Sequence, residues 1–143
     1  MTDLRNKIIF ILANKANGIM REIKFRGWDK KNQRMRRIDY LGIGKSGYFC
    51  VCENQNEFDG NMDVMQFTGL LGKNNKEIYE GDIVKFKGVG KIIYIGEVFL
   101  NDKKLHYTIR GDNCCTAMMP ETKYQIIGNT YENPELSRDK KNL

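Results

Sequence analysis

Downstream of Met20, apolar and polar side chains alternate, the period of strands with one buried face. In Arg21–Arg26, Ile23 and Phe25 share one side, while Glu22, Lys24 and Arg26 share the other. Residues 27–33 look turn-like. Arg34–Leu41 predicts a second strand with Arg36, Ile38 and Tyr40 on one face, interrupted by Gly42, Gly44 and Gly47. Tyr48–Cys52 is a third strand, and the polar stretch 53–62 a loop. Val64–Thr68 predicts a further strand ended by Gly69. Asn74-Asn75 marks a turn, Ile78-Tyr79 a short extended piece, and Glu80-Gly81-Asp82 another turn. Ile83–Lys87 alternates with Val84 and Phe86 together. Gly88–Gly90 leads into the strand Lys91–Phe99, and Asn101-Asp102 turns it back through Leu105–Arg110 as a hairpin. Tyr124–Ile127 is the last strand, and Pro134 opens the exit.

The first nineteen residues follow a different period. Thr2 or Asp3 can cap a helix, Leu4, Ile8, Ile11 and Leu12 share one face, and Gly18 suits its C-terminal stop. An amphipathic helix is predicted over 3–17. A signal-peptide reading is disfavoured because Asp3 interrupts the positive start and the apolar stretch is short. The organisation expected is a helical extension (1–19), a β domain (20–136) and a frayed tail (137–143). Short strands divided by Gly and Asn turns, with no βαβ alternation, predict a mainly β fold: a small antiparallel barrel or sandwich. The segment Glu80–Phe99 is compatible with the bent sheet of an SH3-like barrel.

At 143 residues, the chain can bury roughly two-thirds of its unfolded surface and hold a core without metals or disulfides. Its longest apolar run, Ile8–Ala13, is six residues, well short of the ~18 that a membrane-spanning helix requires. One His and two Ser leave little material for triad or His-centred acid–base chemistry. His106 reads as a surface or packed residue. Gly88-Val89-Gly90-Lys91 lacks the length and the Ser or Thr of a phosphate loop. The paired cysteines, Cys50/Cys52 and Cys114/Cys115, are spaced more tightly than zinc knuckles, and the neighbours Cys114 and Cys115 would face opposite ways on a strand. They are expected to be reduced, half-buried residues, with no metal and no cofactor. The acidic group Glu77, Glu80 and Asp82 invites a divalent-metal reading, which ranks below solvated turn carboxylates, and Asp82 is expected to bond side chain to backbone in its turn. The enzyme reading ranks low.

Charge is distributed unevenly. Residues 20–37 carry a net charge of +6, equal to that of the whole chain, whereas residues 53–63 carry four acids and no base. Lys24, Arg26, Lys30, Lys31, Arg34, Arg36 and Arg37 around Trp28 combine phosphate-binding cations with a stacking aromatic, which suits nucleic acid. They can equally form the solvated face of two strands. A further reading pairs this basic segment with the acidic 53–63 segment of another copy or of a host protein.

Three blocks carry a family resemblance: residues 20–29 (MREIKFRGWD), Met65–Leu70 with Lys76–Val84, and Ile127–Leu136. In this order they resemble the YopX-like proteins of phages and prophages. The resemblance implies a β-rich fold with an SH3-like barrel part in a protein of bacterial mobile elements, acting in the host cytoplasm, and brings no catalytic residues. It also implies that the usual initiator corresponds to Met20, so that 1–19 is an extra helix or an upstream start. Gly69, Gly81, Trp28 and Asp29 read first as structural: sharp turns, a packed aromatic and a capped turn. The function expected is a non-enzymatic accessory protein that binds a macromolecule through its β-surface, with self-association in reach. Nucleic-acid binding by 20–37 is the first alternative, and a nucleotide-like ligand or weak hydrolysis the second.

Overall fold

The computed structural model describes residues 22–45, 47–52, 57–58 and 62–137. The helix expected over 3–17 and the tail beyond Ser137 lie outside the described residues. Eleven strands are present: β1 (Phe25–Asp29), β2 (Arg34–Gly44), β3 (Gly47–Cys52), β4 (Glu57–Phe58), β5 (Met62–Leu71), β6 (Glu77–Tyr79), β7 (Asp82–Lys87), β8 (Ile93–Asn101), β9 (His106–Gly111), β10 (Cys114–Ala117) and β11 (Gln125–Asn129). Three short 3-10 turns, Lys73–Asn75, Val89–Lys91 and Pro134–Leu136, punctuate them; both counts are of the described residues.

The strands form two antiparallel sheets, ordered β4-β3-β2-β1-β5-β6 and β10-β9-β8-β7-β11. Among the described residues neither sheet closes on itself, so the mainly β expectation holds while the closed barrel does not. In the second sheet, β7 to β10 meander and β11 returns to pair with β7.

Several boundaries depart from the sequence pattern. β1 starts later and runs through Gly27, Trp28 and Asp29, because those residues pair with both β2 and β5 and the ladder outweighs local turn propensity. Ile23 is thereby left outside the strand and 62% exposed instead of sharing a buried face with Phe25. The register of β2 shifts between Ile38 and Tyr40, so Ile38 is buried while Tyr40 is exposed. Residues 57–58 form a short strand within the expected loop. β10 has no counterpart in the sequence pattern: its Cys114, Cys115, Thr116 and Ala117 carry no clear alternation and owe their extended state to pairing with β9.

The main core lies in the second sheet. Val84 and Phe86 of β7, Val98 of β8 and Ile109 of β9 share one face with Ile78 and Tyr124, and Cys114 packs at its margin. Phe86 is T-shaped against Tyr124 at 5.4 Å between ring centres. A smaller cluster of Ile38 and Met62, with Phe25, Leu41 and Val64, lies on the first sheet.

The two sheets are joined at the turn between β6 and β7. Glu80 N–H donates to Gln66 O at 3.0 Å, and Gly81 N–H to Val98 O at 2.8 Å. Gly81 O in turn accepts from Thr130 N–H at 2.8 Å. Its φ of +79° is one that glycine adopts without steric cost. One turn thus holds the first sheet, β8 and the segment after β11 together.

Candidate functional site

The strand register divides the basic segment between two faces. Gly27 lies opposite Arg36 and Asp29 opposite Arg34, whereas Arg26 lies opposite Arg37 and Trp28 opposite Met35. Since residues directly opposite one another share a face, Arg26, Trp28 and Arg37 occupy one side of the sheet and Arg34 and Arg36 the other. The +6 segment is not one continuous cationic surface.

Most of its cations meet carboxylates of the same chain. Arg26 Nη2 is 2.6 Å from Asp82 Oδ1 and 3.3 Å from Glu80 O, and its guanidinium lies 4.8 Å from the centre of the Tyr79 ring. Lys24 pairs with Glu77, and with Glu22 at 3.0 Å. Lys30 meets Asp63 at 2.7 Å, Arg36 meets Asp29 at 3.7 Å, and Arg37 meets Asp39 at 3.0 Å. Trp28 is buried and stacked on Tyr131, with ring centres 5.6 Å apart. Lys31 and Arg34 are exposed and have no carboxylate partner among the described residues.

These contacts build a junction between the sheets. Asp82, read as a solvated turn carboxylate, is instead 1% exposed, but it makes the expected side-chain-to-backbone bond, accepting from Tyr79 N–H at 2.8 Å. Burial pushes its carboxyl above the usual range, against the pull of Arg26 and the Tyr79 N–H. Arg26 Nε is buried with no hydrogen-bond partner among the described residues. The Glu77 carboxyl is held low, first by the hydrogen bond from Lys24, with burial opposing and the Tyr79 hydroxyl adding a second donor at 2.8 Å. Burial of Tyr79 and its bond to Glu77 push that phenol well above its ordinary value. At Asp29 burial acts upward, but donors from the Asn32 side chain and from the Asn32 and Lys31 backbone outweigh it and hold the carboxyl low. The expected capped turn at Asp29 and packed aromatic at Trp28 are therefore both present.

The junction leaves a cavity of about 290 Å³, whose lining includes Arg26, Lys76, Asp82, Asn129 and Glu132. Its charged groups are of both signs, and the innermost two neutralise each other. His106 lies on β9, with Nδ1 3.1 Å from Thr108 Oγ1. Among the described residues, no three His, Cys, Asp or Glu side chains converge as a cation site. None of the described helices is long and apolar enough to cross a membrane.

The surface that the sequence pattern missed is the outer face of the second sheet. Ile93 lies opposite Lys87 and Ile95 opposite Lys85, so all four point away from the Val84/Phe86/Val98 core. Ile93 is 53% exposed, Ile95 46%, Ile92 56% and Val89, in the β7–β8 connection, 93%. Farther along the same face the segment after β11 returns: Leu136 and Ile127 approach Ile83 and Ile95 around a cavity of about 240 Å³. Ser137 Oγ there reaches Glu97 Oε2 at 3.5 Å. Among the described residues, one half of the face is thus covered and the other open. The near-continuous apolar run Ile92–Ile95 was the available signal, but its period alone does not say which members face outward.

Comparison with known proteins agrees with this architecture. The crystal structure of YopX from Bacillus subtilis is similar at 21% identity and a TM-score of 0.58, covering 82% of this chain and 98% of that one. The crystal structure of EF1440 from Enterococcus faecalis is similar at 24% identity and a TM-score of 0.53, covering 82% and 99%. At these identities the likeness concerns the fold alone. A search of curated proteins finds no match. The family model described as "YopX protein" matches residues 24–137, from the Lys24 ion pair to the end of the Pro134–Leu136 turn, and the chain belongs to that family.

Proposed function

We propose that this chain is a non-enzymatic accessory protein of a phage or prophage, acting in the host cytoplasm by binding a macromolecular partner through its β-surface. The observation that carries this reading is the uncovered half of the outer face of β7 and β8. There, Ile93 and Ile95 stand exposed on the paired strand β8 and Val89 and Ile92 in the connection that leads into it, with Lys85, Lys87 and Lys91 beside them. Contiguous aliphatic surface rimmed by charge is the usual mark of an interaction site. The meander β7–β10, with β11 returned to β7, supports an SH3-like ancestry for this unit.

Affinity capture from prophage-carrying cells tests the reading, with the native chain and an Ile93→Asp/Ile95→Asp variant compared with and without nuclease. Capture of a partner that survives nuclease and is lost in the variant supports it. Identical capture by both chains overturns it.

Lys31 and Arg34 favour a second reading, nucleic-acid contact through the β1–β2 hairpin, because both are exposed and neither meets a carboxylate among the described residues. In a mobility-shift salt titration, Lys31→Ala and Arg34→Ala would each then reduce the slope by about 0.9 on duplex DNA. An unchanged slope removes that reading.

A further inference from the structure

We infer that the open half of the β7–β8 face is a docking site for an acidic polypeptide segment bearing aliphatic side chains. This rests on the binding-surface reading above and names the partner's chemistry.

Lys85 and Lys87 stand two residues apart on β7, on one face and roughly 7 Å apart along the strand. Each lies beside an exposed isoleucine on β8. Lys91 is exposed in the connection that leads into β8, immediately before Ile92. None of the three lysines has a carboxylate within ion-pair distance among the described residues, in contrast to Lys24, Lys30 and Arg26. A partner presenting acids to the lysine column and aliphatic side chains to the isoleucine column would satisfy both. Next to Ile95, the cavity lined by Ile83, Ile127 and Leu136 also carries Glu97, Arg110 and Glu135, so the apolar contact with the partner falls to the isoleucine column and not to this cavity.

The same residues argue against nucleic acid here. Single strands bind by stacking bases on open aromatic faces. The aromatic on this side, Phe99, already carries the Arg110 guanidinium 4.8 Å from its ring centre. The remaining open side chains are aliphatic, which bury area but do not stack.

Fluorescence anisotropy with the full chain and labelled short peptides provides the test. A peptide alternating Glu and Leu is expected to bind at least about tenfold more tightly than peptides alternating Glu and Ser or Lys and Leu. Ile93→Asp/Ile95→Asp should abolish that preference. The charge-reversed variant Lys85→Glu/Lys87→Glu, whose substitutions are on the surface, should transfer it to the Lys–Leu peptide, a gain that misfolding cannot imitate. Equal binding of the Glu–Leu and Lys–Leu peptides by the native chain would overturn the inference. So would tighter binding of an oligothymidylate lost in the charge-reversed variant, or self-association by light scattering lost in the Ile93→Asp/Ile95→Asp variant, which would assign the face to a second copy. If cellular capture is lost in the aspartate variant yet unchanged on charge reversal, the acidic partner is refuted and the binding-surface reading stands. If neither variant affects capture, both fall.

Discussion

Arg26 and Asp82, 56 positions apart in the chain, meet at 2.6 Å where the two sheets adjoin. Asp82 is nearly fully buried, and Arg26 is sandwiched between it and the Tyr79 ring. This one contact turns a charge that the composition presents as available for a phosphate into a fastener between sheets.

Removing either partner should therefore destabilise the fold more than removing both. Arg26→Met leaves a buried carboxylate with one backbone donor, and about 3–5 kcal/mol of lost stability is expected. Asp82→Asn in the same background should recover part of it, with a coupling energy of roughly 1–3 kcal/mol in a urea-denaturation cycle. Strictly additive losses would mean that the pair does not act as one unit.

Trp28 is the only tryptophan, and it reports on this junction. Its emission should shift to the red at the same denaturant midpoint as the loss of far-UV circular dichroism, if the sheets unfold together. Tyr131→Leu retains apolar bulk but loses the stacked ring, and should lower both midpoints by about 1 kcal/mol of stability. A fluorescence transition that precedes the circular-dichroism transition would show that the junction opens on its own.

Acid should weaken the fold through Asp29 and Glu77. Both carboxyls are held below their ordinary values of 3.8 and 4.5, so each binds protons more readily when unfolded. Their contribution is complete above those values and is lost as pH falls through the lower folded ones. Lys24 has the opposite sign: its pKa is raised above 10.5, chiefly by Glu77, so its contribution is complete below 10.5 and is lost as pH rises through the higher folded value. Thermal unfolding scanned against pH should show both limbs, and Glu77→Gln should flatten both. An acid limb unchanged in Glu77→Gln and Asp29→Asn would refute the assignment.

Gly111 is fixed by space. A Cβ there would lie 2.0 Å from the Ile95 carbonyl oxygen, a backbone atom that cannot swing away. Gly111→Ala should force β8 and β9 apart and cost about 1–3 kcal/mol or more, read as a lowered urea midpoint. Gly90→Ala, where the nearest atoms are 3.9 Å away but φ is +71°, should cost less, at roughly 1 kcal/mol.

Local period and turn chemistry determined most of the strand inventory without a structure. The alternation of Val84 and Phe86, the Gly81 turn and the Asn74-Asn75 turn all appear where the residue types place them, because those preferences act over a few neighbouring residues. Three long-range blocks were enough to identify the family. Pairing decided the rest. β10 and the C-terminal half of β1 are strands because a neighbouring strand supplies hydrogen bonds that local propensity does not encode. Likewise, charge counted along the chain is not charge available at the surface. Register sent Arg26 and Trp28 inward to Asp82 and Tyr131, and it left Ile93 and Ile95 facing water, since adding one residue to a strand moves every later side chain to the other face.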